Sequence, residues 1–510
     1  MPMNITAPTQ RLLVHARAPR MLATGVGALL LAWLSLAAAL SAHAHEAHAP
    51  PPPPWQAASP WPDRIVATLP GDPASSFAVT WRTDASVTAP NAELALATPD
   101  ARFDLTATPH QAVSEVLDPA RVERLGAVVE VSWNTELAPV HFHSVRFEGL
   151  APDTLYAYRV QGRDDRWSEW FQLRTAPASG PVQFIYLGDA QNGILSHWSR
   201  TVRAAFQHAP EARFILHAGD LVNRASRDFE WAEWFRAVGF IHGMIPAFPV
   251  AGNHEYDRIG LPEGASRRML SILWRPQFTL PEVESLPDLL RETVYDVRYN
   301  EDIHLFVLDT QGGMIVEQAE WLDGALAASD ARWKLVSMHH PAFSSGRGRD
   351  NAERREILLP VLLKHEVDLV LQGHDHTYAR GAIGPLASDA AGPQTPERLG
   401  VGADGEIRSM FVNSVSGAKQ YTFKEDRWDG YAEHDVELER FAENTQFYQI
   451  IEVDGERLEY EAYTATGDLY DHFVISKPEQ GPKRVTTGTR PLADPRMFDG
   501  TLPYPGVDDL

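Results

Sequence analysis

Five short polar motifs, each behind an apolar run, fall within one stretch of the chain: Gly188-Asp189, Gly219-Asp220, Gly252-Asn253-His254-Glu255, His339-His340-Pro341 and Gly373-His374-Asp375-His376. They offer carboxylates, imidazoles and an amide, and the 510-residue chain has no cysteine. Imidazole nitrogen with carboxylate and amide oxygen suits zinc, iron, manganese or nickel rather than Cu(I) or an iron–sulfur cluster. Two such ions roughly 3.5–4 Å apart clamp the attacking and leaving oxygens of a phosphoryl displacement and generate hydroxide from bound water near neutral pH. Hydrolysis of a phosphate ester at a two-metal centre is the chemistry that fits.

The elements that must position these groups are the apolar runs 184–187, 214–216, 247–251, 333–338 and 367–371, each short enough for a buried strand and followed by a turn. In open α/β sheets, sites form beyond the carboxyl ends of the strands. A glycine ahead of the ligand lets the chain turn without a Cβ clash, so five turns deliver their side chains to one rim. Helical segments at 198–208, 227–238, 317–328 and 351–365 alternate with the strands, the pattern of a layered α/β sandwich. Segments 256–293 and 381–405 are rich in Pro, Gly and charge and read as loops over the cleft. Residues 447–453 and 458–464 read as a hairpin around Asp454-Gly455.

Residues 61–176 read as a separate all-β unit. Phe77, Val79 and Trp81 alternate with Ala78, Thr80 and Arg82, and the same period recurs at Val145/Phe147 and Tyr156/Tyr158/Val160. With 65–69, 93–97, 128–133 and 170–173 these make about seven strands, the count of an immunoglobulin-like sandwich. Leu150-x-Pro152-x-Thr154-x-Tyr156 looks like the tyrosine-corner turn of fibronectin type III modules.

The ordered motifs, together with the extended run from Gly373 to Arg380, resemble the calcineurin-like metallophosphoesterase superfamily and, within it, the purple acid phosphatase branch, over residues 60–475. That resemblance implies a four-layer α/β sandwich of two mixed sheets flanked by helices (181–477), behind the fibronectin III-like domain (61–176). It implies two metal ions, iron, zinc or manganese, with Asp189 and His376 on the first, Asn253, His339 and His374 on the second, and Asp220 bridging. His254 would protonate the leaving group or steady the phosphoryl oxygens, and His340 would be left to face substrate or solvent. Apart from the resemblance, Arg349 and Arg380 are candidate substrate-binding cations in an acidic chain. Arg347 and Lys419 are further candidate cations.

Two departures from the purple pattern matter. Asn223 stands where purple members carry the tyrosine that gives the colour, so the chain is expected to lack that chromophore. An Asn carbonyl at this place can still accept the Nδ1–H of His254 and fix its tautomer. Gln191 stands two residues after the first aspartate, where other branches place a His or Gln ligand, and is the expected replacement ligand. The implied activity is phosphomonoester hydrolysis by metal-bound hydroxide, with phosphodiester or nucleotide pyrophosphate cleavage as the alternative. A non-catalytic cell-surface binding protein is the alternative of another class, disfavoured by the complete ligand set.

The formal net charge of −23 argues against broad nucleic-acid binding, which needs a positive footprint. The expected partner is a phosphorylated small molecule. Arg11, Arg17 and Arg20 precede the apolar stretch 21–40, and Ala42-His43-Ala44 follows as an A-x-A site, so residues 1–44 are expected to be a secretory signal, with an uncleaved anchor as the alternative. The expectation is a secreted or periplasmic protein with no lasting membrane insertion. Residues 45–60, with five consecutive prolines at 50–54, read as an extended spacer, and 478–510 as a loosely held tail.

Overall fold

The computed structural model describes residues 55–118, 138–260, 266–384 and 405–497. The expected export segment, the proline run, the strand expected at 128–133 and most of the 381–405 insertion lie outside these residues.

Two antiparallel four-stranded sheets form the amino-terminal sandwich. One runs Asp63–Thr68, Phe77–Asp84, Val140–Phe147, Val113–Leu117; the other runs Thr108–Gln111, Asn91–Leu96, Leu155–Val160, Phe171–Arg174. Their alternating inward residues meet in an aromatic core, with the Phe77 ring 5.0 Å from Phe147 and 5.7 Å from Tyr158. The Tyr156 hydroxyl accepts the Ala151 N–H at 2.9 Å, which closes the expected corner. The strands Thr108–Gln111 and Val113–Leu117 escaped the sequence reading because most of their residues are exposed on both faces, so no apolar alternation marks them.

In the carboxy-terminal region an eight-stranded mixed sheet runs Ala247–Pro249, Ile215–His217, Val182–Leu187, Phe447–Asp454, Arg457–Thr464, Leu469–Ser476, Arg484–Thr487, Gly405–Glu406. A seven-stranded mixed sheet runs Tyr295–Arg298, Ile303–Leu308, Trp333–Met338, Leu369–Gln372, Ser409–Asn413, Tyr378–Ile383, Val436–Ala442. Ile303, Leu305 and Val307 join the core shared with the other sheet, while Phe306 and Leu308 join a second core under the helices Ile315–Ala328 and Ala352–Lys364. Leu369 and Leu371 against Val370 repeat the division. Burial on both faces is why these strands read as continuous apolar runs instead of alternating ones. Helix Ser199–His208 packs Val202 and Ala205 into the first core from the outer face, completing four layers.

Three readings are corrected. Segment 256–293 is more than a loop: it opens with the hairpin Tyr256–Gly260/Ser266–Leu270, and Leu273, Trp274, Phe278 and Leu280 are buried in the main core. The insertion read from 381 starts later, because 381–383 complete the strand Tyr378–Ile383. The tail carries a strand, Arg484–Thr487, paired with Leu469–Ser476, and Lys483 reaches buried Asp368 at 2.7 Å.

The sandwich is fastened to the α/β region by buried charge. Asp228, in the first turn of helix Asp228–Val238, receives Arg64 at 2.8 Å and Arg82 at 3.0 Å, and Arg82 also grips Asp63 at 2.7 Å. Tyr158 donates to the Gly243 carbonyl at 2.6 Å.

Candidate metal centre

Each candidate ligand sits beyond a strand end, and at four of them the backbone is strained. Asp189, Asp220, His374 and His376 have φ of 31°, 50°, 76° and 50°, a region that non-glycine residues seldom occupy and that clusters at functional sites. Gly219 has φ 91°, and a Cβ on Gly252 would lie 2.3 Å from the Asp220 Oδ1. Glycine is required there so that the Asn253 loop can close on Asp220.

Ligand atoms of Asp189, Asp220 and His376 lie within 4.8 Å of one another, and so do those of Asp220, His339 and His374. Asp220 belongs to both groups. Asn253 Oδ1 lies 3.1 Å from His339 Nε2 and 2.8 Å from His374 Nδ1. The Gln191 amide sits in the first group, 2.9 Å from Asp220 Oδ2 and 2.8 Å from His376 Nε2, and its Oε1 is buried without a hydrogen-bond partner. Exchanging the two amide termini, which are chosen by hydrogen-bond fit, would turn that oxygen toward the group.

The surrounding backbone aims these side chains. His339 Nδ1 donates to the Ala218 carbonyl at 2.9 Å and His376 Nδ1 to the Lys419 carbonyl at 2.7 Å, so each turns its Nε2 toward the carboxylates. The His374 N–H donates to Asp189 at 2.8 Å, and the His254 N–H to Asp220 Oδ1 at 2.9 Å. Lone pairs of two carboxylates, three imidazoles and an amide thus converge in a buried space, which is unfavourable unless cations fill it. Acidities agree: burial and the neighbouring Asp220 push Asp189 well above the usual carboxylate range, and the same two causes push Glu255 up to about 8. The donor set fits two divalent or trivalent ions.

Without metal, His339 takes the compensating charge. Burial works against its protonation, but Asp220 at 3.2 Å outweighs it and raises the ring to about 9. An ion held by the His339 group below that pH must displace this proton, so its affinity should rise about tenfold per pH unit up to about pH 9 and then level off. At the other group the raised Asp189 adds a released proton. Metal titrations from pH 6 upward, in buffers of different ionisation enthalpy, measure both the slope and the released proton; an affinity flat across this range would contradict the assignment.

His254 differs from the buried imidazoles, since its side chain is 25% exposed against 0% for His339 and 2% for His376. Its Nε2 lies 4.0 Å from Asp220 Oδ2 and its Nδ1 donates to Asn223. Here the sequence reading needs correction: the acceptor is the main-chain carbonyl of Asn223, so the amide side chain is not what fixes the tautomer. That carbonyl is held by Glu230, whose carboxylate accepts the N–H groups of Asn223 and Arg224 at 2.7 and 2.8 Å. Glu230 follows Asp228 on the same helix, so the sandwich's two arginines brace the element that orients His254.

Two of the three expected substrate contacts are also revised. His340 is 5% exposed, its Nδ1 pairs with Thr310 Oγ1 at 2.8 Å, and its ring packs 4.2 Å from that of His374, so it supports a ligand. Arg380 is 1% exposed, held by Asp471 at 2.6 Å and by Glu439, so no substrate reaches it. Arg380→Ala would leave two buried carboxylates uncompensated and should cost about 3–5 kcal/mol in denaturant unfolding, with KM for a phosphate ester unchanged. A raised KM at wild-type stability would restore Arg380 to the site. Arg349 remains at the rim, donating to the His374 carbonyl at 3.0 Å with its guanidinium 4.5 Å over Tyr421; Lys419 lies 5.5 Å from the same ring. Arg347 points away and pairs with Glu425 at 2.8 Å.

Supporting carboxylates were missed. Glu255 accepts the N–H groups of Asp220, Leu221 and Gly252 at 2.9, 2.9 and 2.8 Å and welds the bridging turn to the Asn253 turn. Asp375 accepts those of Ser345 and Gly346. Their only signal was a place inside the motifs.

Comparison with known proteins agrees with this geometry. Residues 161–378 match the calcineurin-like phosphoesterase family and residues 62–175 the purple acid phosphatase N-terminal domain. Purple acid phosphatase 21 of Arabidopsis thaliana is 27% identical over 276 residues, 52% of this chain and 59% of that protein. An uncharacterised protein of Mycobacterium tuberculosis is 30% identical over 321 residues, 56% of this chain and 57% of that one. The chain thus spans less than two thirds of the length of these relatives. Among solved structures, yellow lupin purple acid phosphatase PPD1 superposes with a TM-score of 0.63 at 17% identity, covering 82% of this chain and 75% of that one. PhoD gives 0.59 at 13% identity, covering 86% and 94%; both likenesses concern the fold. With the motifs in order, their ligands gathered around Asp220 and both domains matched, the chain is a calcineurin-like metallophosphoesterase carrying a purple acid phosphatase N-terminal domain.

Proposed function

We propose that the protein hydrolyses phosphate monoesters at a binuclear metal centre. The observation that carries this is the sharing of Asp220 between two buried ligand groups, with Gln191 completing the first and Asn253 the second. When bound, the two ions supply charge neutralisation at the phosphoryl oxygens and an activated water. The chain's own residues do the rest. His254, partly exposed and fixed through Nδ1, delivers a proton from Nε2 to the leaving oxygen as imidazolium, the form that burial opposes and Asp220 favours. Arg349 and Lys419 supply the cations at the rim, where an anionic ester enters an otherwise acidic protein. Parallel turnover of aryl phosphate mono- and diesters by metal-replete protein tests the reading. Monoester preference supports it, diester preference moves the assignment to phosphodiesterase, and turnover of neither returns the protein to the binding class.

Asn223 removes the tyrosine of the purple chromophore, and Tyr256, the nearest alternative along the motif, commits its hydroxyl to Asp309. A colourless or weakly coloured iron form is consistent with this site.

Export is part of the proposal, supported by the basic residues, apolar stretch and A-x-A site at 11–44. The exported chain should begin near His45 on amino-terminal sequencing; an intact Met1 in a membrane fraction would contradict cleavage. Among the described residues no helix is long and apolar enough to cross a membrane.

A further inference from the structure

A cavity of about 510 Å³ is lined among others by Asn192, Leu195, Asn223, Phe229 and Glu233. It is built on the same two turns as the ligands: Asn192 follows Gln191, and Asn223 supplies the carbonyl that holds His254 Nδ1. A leaving oxygen has to lie next to its proton donor, so the organic group it carries must fit beside His254. We infer that this cavity is the leaving-group subsite and that it selects an aromatic, non-anionic leaving group, an inference that rests on the proposed hydrolysis.

Three features of the lining carry the selection. Phe229 is 41% exposed in the first turn of its helix, with the Arg227 guanidinium 5.9 Å from its ring centroid, and offers its exposed surface to a planar group. Ile194 and Leu195 add apolar surface, and the amides of Asn192 and Asn223 add neutral polar groups. The cavity's cation, Arg227, is paired with Glu230 at 3.1 Å, whereas Glu233, which also lines the cavity, has no ionic partner among the described residues, its carboxylate accepting the Leu195 N–H. A second negative charge on the leaving group would therefore meet net repulsion.

The test compares phenyl phosphate, glycerol phosphate and 4-carboxyphenyl phosphate on metal-replete protein. Phe229→Ala should lower kcat/KM for phenyl phosphate roughly tenfold relative to glycerol phosphate, with metal content retained. Glu233→Gln should raise the carboxyphenyl-to-phenyl ratio about tenfold. Both ratios unchanged would overturn the subsite. Binding of phenylphosphonate against methylphosphonate, followed by calorimetry, needs no turnover and separates the two claims. If no ester is hydrolysed yet the phenyl preference is present and is lost in Phe229→Ala, the subsite stands and the hydrolytic reading fails. Hydrolysis without a phenyl preference leaves the hydrolytic reading and removes the subsite.

Discussion

Asp220→Ala should bind neither metal at the wild-type level and should show no measurable ester hydrolysis. Among the described residues, Asp220 is the one carboxylate that belongs to both ligand groups. Two unit charges 4 Å apart at an effective dielectric constant of 20 interact by about 4 kcal/mol, so two divalent ions at that separation repel by about 16 kcal/mol. A bridging carboxylate offsets that repulsion for both ions at once, and nothing else in the centre does. Its removal should therefore exceed the ~10–100-fold loss of affinity usual for an outer-shell partner. Asp220→Asn keeps the shape and the acceptor for the His254 N–H, so a shared failure of the two variants assigns the loss to charge rather than to misfolding. Elemental analysis with turnover decides it: wild-type metal content and activity in either variant would contradict the bridge.

His254→Ala should keep both metals and lose roughly 10²–10⁴-fold in turnover, the range for a positioned acid–base group. Burial pushes the ring below its ordinary value, and the Asp220 carboxylate opposes this in part. A proton donor matters most when the leaving oxygen is basic, so the loss should be larger for an alkyl phosphate than for nitrophenyl phosphate, whose phenolate departs unaided. Equal losses on the two esters would make His254 a charge stabiliser. Loss of metal would make it a support of Asn253. Glu230→Gln gives a graded companion, because it loosens the carbonyl that orients the ring without touching His254.

The ligand set was legible because each ligand stands directly behind a glycine or strand end, and close approach leaves a local mark: Gly219 and Gly252 sit where any Cβ would strike His339 or Asp220. What a side chain meets across the fold leaves no such mark. Arg380 ends a family-like run, yet Asp471 and Glu439, distant in sequence, bury it. His340 follows a ligand on an exposed-looking turn, but Thr310 and His374 enclose it. Asn223 acts on His254 through its main-chain carbonyl, a group that every residue type carries, so the side chain leaves no sign of it. Layers and helices were readable from apolar period, whereas the strand Arg484–Thr487 was hidden by Pro/Gly-rich surroundings and by its place near a sheet edge.

Titration of metal-free protein with one ion type, following 4-nitrophenyl phosphate turnover and bound metal together, tests the two-metal centre most directly. Two ions should bind per chain, with activity appearing only as the second is taken up and disappearing on chelation. Full activity at one ion per chain, or activity that survives exhaustive removal of metal, would contradict it.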